Sequence, residues 1–394
     1  MKISDLEFYL VEIPARGDKG LLGDARDTAS AAERPAAGVR SRRKTPVPAC
    51  PEIPAPVRSL LVRLSTASGL EGWGECGLPW RQGELLARRD FLLPLLAGRS
   101  VFDIEELHTL QMLASPPLRC ALEMACWDLA GRAAGQPLCH LFGGGYRRRV
   151  PIAVRLSGRR PDHVAQLARE LAAQGFCCQI AASLGRPDLD CAMLRLIRDS
   201  VGDRVELRFD ALARYDADVA RNLCDDIQRQ RLQFLIDPVG RIDNPFCPLA
   251  KGQLDAVAAL ARQTGVPLAL WRGIATAADV LAAVRAGAAS FVVADLERVG
   301  GLSPARACAA VAAAAGIPAL MGGRPALGIG TAAMLHLAAA TPAFSAGNEC
   351  AYHALPDDVL CEPLEIVGGM MTVPQGPGLG VEVDRTKLER YLSG

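Results

Sequence analysis

An α/β architecture, a parallel (β/α) barrel joined to a mixed α+β unit, is the fold this sequence predicts. Three observations carry it. Between residues 150 and 350, short apolar or β-branched runs alternate with Ala-, Leu- and Arg-rich stretches, giving eight strands separated by seven helices. No glycine-rich phosphate turn follows the first of those strands, which argues against an open doubly wound sheet. The chain before 150 and the tail after 369 read differently, as alternating antiparallel segments.

The first unit spans 1–149. Its "DLEFYLVEIP" and "VRSLLVRLSTASGLEGWGE" alternate with period two, and the second breaks into a hairpin at Ser68-Gly69. Residues 15–56, rich in Ala, Arg and Pro, hold no periodicity and read as a long mobile loop. The run "RSRRK" at 40–44 reads as a solvated loop face. Helical patterns follow at 83–97, 103–113 and 117–134, the last closed by Gly135. In the unit at 150–369 the strands are "VPIAVRL", "CCQIA", "VELRFD", "QFLI", "PLALW", "SFVVAD", "PALMG" and "AFSAGNE". The helices fall near 162–174, 188–201, 216–230, 253–264, 277–287, 304–315 and 328–340. The tail, 370–394, alternates again and is expected to return to the first unit.

Composition removes several functions. Half of the 394 residues are apolar, 22% are charged, and 44 basic against 43 acidic side chains leave a net charge of +1. Neither nucleic acid nor a membrane surface is an expected partner. The opening "MKISDLEFYLVEIP" reads as a strand, and no apolar run reaches the length that spans a bilayer. The 13 cysteines show no CxxC spacing and read as reduced, buried thiols of a cytoplasmic protein.

Chemistry in a parallel barrel sits where its strands end. Those ends carry Gln179 and Ala181, Asp210, Ile236-Asp237, Trp271-Arg272, Asp295, Arg324 and Glu349. Charges at the ends of apolar strands are costly unless paired or solvated. Any one of them fits a plain ion pair, but six strand ends with acids or arginines together point to a ligand site.

Several segments, in order, resemble the mandelate racemase/muconate lactonizing branch of the enolase superfamily. These are "VRSLLVRLSTASGLEGWGE", "CALEMACWDLAGRAAGQPLCHLFGGGYRRRVP" (120–151), "LERVGGLSPAR" (296–306), "GIGTAAMLHLAAATP" (328–342) and "MMTVPQGPGLGVEVD" (370–384). The resemblance implies a modified (β/α) barrel of TIM type under an α+β capping domain built from the N-terminus and the tail. It implies a chemistry too: abstraction of a proton next to a carboxylate, with Lys or His as base and Mg²⁺ on three acidic groups of strands three to five.

This sequence departs from that pattern at the site. The Lys-x-Lys of strand two aligns with Gln179 and Ala181, neither of which takes a proton from carbon. Strand three keeps Asp210. Strand four offers Ile236-Asp237 for a glutamate, so the ligand is either lost to Ile236 or replaced by Asp237. Strand five offers Trp271 and Arg272 for an acid pair, strand six Asp295 for a second lysine. Arg324 lies near the histidine position of strand seven, and Glu349 lies within a residue of a glutamate on strand eight. Asp295, Glu349 and Asp237 are therefore the candidate acid–base groups. Gln179, Trp271, Arg272 and Arg324 are the candidate substrate contacts, and Asp210 and Asp237 the remaining candidate metal ligands. Arg272 is expected to reach Asp210 or Asp237 and to stand in for the metal, so no cofactor is expected and Mg²⁺ is disfavoured.

Three readings stay open. One is a rewired isomerase or lyase acting on a small carboxylate. Another is a family member without activity that binds a small carboxylate or serves as a structural partner. The third keeps metal through Asp210 and Asp237. A homo-oligomer is expected in each. Trp80 fits an apolar ligand contact and a plain packing residue equally, and His336 reads as structural; His353, just past strand eight, has a better claim to the site.

Overall fold

The computed structural model describes residues 1–14, 56–110, 113–240 and 251–393. Apart from Pro56, the loop expected at 15–56 and its "RSRRK" run lie outside the described residues. Among the described residues no helix is long and apolar enough to cross a membrane.

The capping domain holds an antiparallel sheet of β1 (Ile3–Ile13), β2 (Val57–Thr66) and β3 (Glu71–Cys76) in that order. Phe8 lies opposite Val62, and Leu60 opposite Cys76, which puts alternate apolar side chains on one face. Helices α1 (Leu85–Leu96), α2 (Ile104–Thr109) and α3 (Pro116–Ala134) cover that face, and Leu6, Leu60, Val62, Leu122 and Leu129 are fully buried between the layers. Prolines open α3, where a missing N–H costs nothing, and Gly135 ends it in the left-handed conformation. Gly72 and Gly74 on β3 let α3 approach closely. A Cβ on Gly74 would collide with the Ala121 carbonyl. A short α4 (Leu138–Leu141) leads to the barrel.

The barrel strands are β4 (Arg149–Leu156), β5 (Cys178–Ala182), β6 (Glu206–Asp210), β7 (Phe234–Ile236), β8 (Leu268–Leu270), β9 (Phe291–Asp295), β10 (Ala319–Gly322) and β11 (Asn348–Glu349). Neighbours from β4 to β10 pair in parallel, and β11 pairs in parallel with β4. Between them run α5 (Pro161–Ala173), α6 (Pro187–Val201), α7 (Ala217–Ile227), α8 (Lys251–Thr264), α9 (Ala277–Ala286), α10 (Leu296–Val299), α11 (Leu302–Ala314) and α12 (Gly328–Ala340). Ala153, Ile180, Phe234, Ile236, Ala269, Val293 and Leu320 fill the inside of the barrel, each at an inward period-two position. Beyond it, β12 (Ile366–Val367) and β13 (Met370–Thr372) form a hairpin whose second strand pairs with β4. After α13 (Arg385–Arg390), Tyr391 and Ser393 hydrogen-bond to Glu12 and Leu10 of β1. The barrel mouth thus lies under the capping domain.

Candidate active site

One half of the mouth is closed by charge. Asp210 ends β6 with its side chain inward, in phase with Arg208. Arg272, just past β8, grips it with two hydrogen bonds of 2.9 Å and sends Nη1 to Asp237 Oδ2, also 2.9 Å. Arg155 of β4 reaches Asp210 at 3.0 Å and holds Glu349 at 2.6 and 3.2 Å. The chain Asp237–Arg272–Asp210–Arg155–Glu349 crosses the mouth. Both guanidiniums lie over the Trp271 ring, 4.5 and 5.5 Å from its centre. Burial pushes the Asp210 carboxyl up, but Arg155 and Arg272 outweigh it and hold it below the ordinary carboxylate range.

Asp237 reaches this network by a backbone detour. Ile236 takes the inward position of β7, and Asp237 adopts a left-handed φ of 41° that turns its side chain back. Its Oδ1 accepts from Trp271 N–H and its Oδ2 from Arg272 N–H, each at 3.0 Å. Buried, and spent on three donors, Asp237 is a lock between β7 and β8 and not a placed base.

The other half is open. Asp295, Glu297, Gly322, Gly323, Arg324 and Glu349 line one pocket beneath the capping domain. A Cβ on Gly322 would lie 3.3 Å from Glu349 Oε2, and one on Gly323 would lie 3.6 Å from Asp295 Oδ1. The glycine pair therefore keeps clear the floor that the two carboxylates face. Asp295 caps α10 through Oδ1, which accepts from Glu297 and Arg298 N–H, while Oδ2 takes a longer 3.3 Å bond from Trp271 Nε1. Burial raises Asp295 above the usual carboxylate value, with Arg298 opposing. Glu297 is raised by burial in the same way, against Arg324.

Arg324 fastens the cap to the barrel. It donates to Glu297 at 2.6 Å, to Ser59 Oγ at 3.0 Å and to Glu75 at 3.3 Å. Glu297 in turn accepts from Gly77 N–H, and Glu75 accepts from Ser59 Oγ and from Leu327 and Gly330 N–H. Its donors are thus committed inside the protein, and Arg324 is a tie between domains where a substrate contact was expected.

Gln179 is a second correction. It is fully buried and donates to the carbonyls of Ala168 and Phe176, on the helix side of β5. The inward positions are Ile180 and Ala182, one residue along, and neither is a lysine. Sequence reasoning missed Arg155, Glu75 and Glu297. Arg155 was readable: it stands two residues after the inward Ala153 at the end of the first barrel strand. Glu75 and Glu297 carried no such signal, since one comes from the cap and the other from a one-turn helix. His353 is half-buried against Phe176, 5.0 Å between rings, and does not line the pocket. Trp80 packs edge-on to Phe8 in the cap.

Two family models match in chain order: "Mandelate racemase / muconate lactonizing enzyme, N-terminal domain" over residues 40–143 and "Enolase C-terminal domain-like" over residues 162–387. The N-succinylamino acid racemase of Thermus thermophilus is 32% identical, over 85% of this chain and 92% of its own. Muconate cycloisomerase 1 of Rhodococcus opacus is 29% identical, over 84% and 90%. A solved muconate cycloisomerase from Azorhizobium caulinodans, 26% identical, superposes over 99% of this chain and 98% of its own with a TM-score of 0.78. These matches overturn the expectation that no cofactor serves, because the family is one of Mg²⁺-dependent enzymes. The side chains as arranged do not fit that ion. Asp210 and Asp237 are bridged by Arg272, and among the described residues no three His, Cys, Asp or Glu side chains are grouped to hold a metal. With both family models in order and a racemase relative matched along most of its length, the chain belongs to the mandelate racemase/muconate lactonizing branch of the enolase superfamily.

Proposed function

We propose that this protein is an isomerase- or lyase-type enzyme that moves a proton at carbon in a small carboxylate-bearing substrate. One observation carries the reading: Asp295 and Glu349 face the same pocket across the bare Gly322-Gly323 floor. Asp295 is the proton-transfer group. Its raised pKa brings the carboxylate nearer the pH at which it works, and its Oδ2 has only one long hydrogen bond to give up. Glu349, held at two points by Arg155, is the fixed partner on the far side. Arg155, with about a quarter of its side chain exposed, supplies the positive charge for the substrate carboxylate, beside Trp271 and Arg272 at the edge of the mouth. Cycloisomerase and racemase relatives support this reaction class.

A second reading, a carboxylate-binding protein without turnover, is favoured by the chemistry of the wall. Neither lysine nor histidine lines the pocket among the described residues. The test is deuterium exchange. A panel of small carboxylates is incubated in D₂O with excess Mg²⁺ and followed by proton NMR. The parent is expected to wash out the proton beside the carboxylate of at least one compound, and Asp295→Asn, which keeps the helix cap, to slow it by about 100-fold. Binding without any exchange would decide for the second reading.

A further inference from the structure

The apolar side of the pocket has a composition that the proton-transfer groups do not explain. Cys120 and Met124 stand one turn apart on α3, Met321 lies on β10, Met334 on α12, and Leu296 and Cys350 complete the wall. All but Leu296 are buried. Both thiols are neutral, since burial lifts Cys120 well above its usual value and Cys350 to about 12. They act here as small apolar groups, not nucleophiles.

The polar side chains on the lining are already engaged with the protein. Glu75 accepts four hydrogen bonds, Glu297 is held by Gly77 and Arg324, Arg324 is spent on the cap, and the Thr331 hydroxyl meets Cys350. Among the described lining residues only Asp295 and Glu349 keep capacity toward the pocket, and the proposed chemistry uses both. Among the described lining residues there is no Asn, Gln, Ser, Tyr, His or Lys. A substrate rich in hydroxyls would lose its water there and find few replacements, each unpaired hydroxyl weakening binding by roughly tenfold. A hydrocarbon body meets the opposite treatment. Three thioethers offer polarisable, adaptable contact and exclude water from the reacting carbon.

We infer that the substrate is a carboxylate with an apolar body, aliphatic or aromatic, and that polyhydroxylated acids are rejected. This rests on the reading of the pocket as a carboxylate site. Calorimetry with three probes separates the two ideas: 4-phenylbutyrate, gluconate and 4-phenylbutan-1-ol. The expected result is that 4-phenylbutyrate binds at least tenfold more tightly than either of the others. Met124→Gln and Met334→Gln should each weaken it about tenfold, while Met334→Leu leaves it within about threefold. Circular dichroism confirms that each variant is folded, and the two positions lie on different helices, so loss of one variant leaves the other. Gluconate binding as tightly as 4-phenylbutyrate would overturn the inference and leave the carboxylate reading standing. The alcohol binding as tightly as the acid would sink the carboxylate reading and keep the apolar wall. No binding by any probe would overturn both.

Discussion

Arg272 meets two carboxylates at once because its own backbone N–H and the tip of its side chain both reach Asp237, while its two outer nitrogens match the two oxygens of Asp210. A planar fork does this where a lysine would not. Removing it takes away the guanidinium bonded to buried Asp237 and leaves Asp210 with Arg155, so Arg272→Met should lower unfolding stability by about 3–5 kcal/mol. The same change frees two acidic side chains. Mg²⁺ titrated by calorimetry should bind Arg272→Met more tightly than the parent, and Arg272→Glu more tightly still; equal affinity in all three would show that the carboxylates are aimed away from a common centre. The meeting of Arg272 with these acids was legible in the sequence, because the three stand at the mouth ends of three consecutive barrel strands, β6, β7 and β8. The face on which Gln179 lies was not. β5 is apolar on both faces, so alternation cannot set its register, and a shift of one residue turns every side chain over. Asp237 was half legible: the chain showed an acid one place late, but only the left-handed backbone explains how it returns to the mouth.

At the scale of elements, the cap and the barrel are joined by a few buried charges as well as by apolar packing. β2 supplies Ser59, β3 supplies Glu75, α10 supplies Glu297, and the turn after β10 supplies Arg324 between them. Arg324→Met strands two carboxylates, buried Glu75 of the cap and half-buried Glu297 of the barrel. Hydrogen–deuterium exchange should then rise at Gly77, Leu327 and Gly330, whose N–H groups these carboxylates accept, and stay unchanged in β6 and β7. Unchanged protection at all three amides would mean that packing of α3 on β3 fixes the cap alone. The barrel strands and helices were readable because short apolar or β-branched runs alternate with helical stretches, eight strands with seven helices between them. What escaped was shorter than a periodicity window. The four-residue α10 holds Glu297, yet it is not long enough to declare a face. The clamp escaped for a different reason: its four residues come from sequence positions 59 to 324 and meet only in the fold.

For the molecule as a whole, a single buried histidine ties three distant parts together, and it sets a pH limit. His336 on α12 accepts from Cys139 N–H of α4 at 3.2 Å and donates from Nε2 to Leu379 O of the tail at 3.0 Å. The linker, the barrel and the returning tail thus share one neutral imidazole, the structural role the sequence suggested for this helix position. Burial lowers its pKa to about 4 from the usual value near 6.5. Between those two values the unfolded chain binds a proton that the folded chain refuses, so stability rises with pH across that window and is flat above it. The contribution is roughly 3 kcal/mol, lost as pH falls from about 6.5 to 4. His353, also lowered to about 4 by burial, adds a slope of the same sign. Buried Asp237 and half-buried Asp295 and Glu297 act in the opposite direction, since their raised values favour the folded state on acidification. A difference measurement isolates His336 from all of them. His336→Gln can keep one acceptor and one donor but carries no titrating group. It should be less stable than the parent at pH 7.5, and the gap should narrow by about 2–3 kcal/mol by pH 4.5 in urea unfolding. Parallel stability curves for the two proteins would show that His336 titrates normally and that the three-way tie is not maintained in solution.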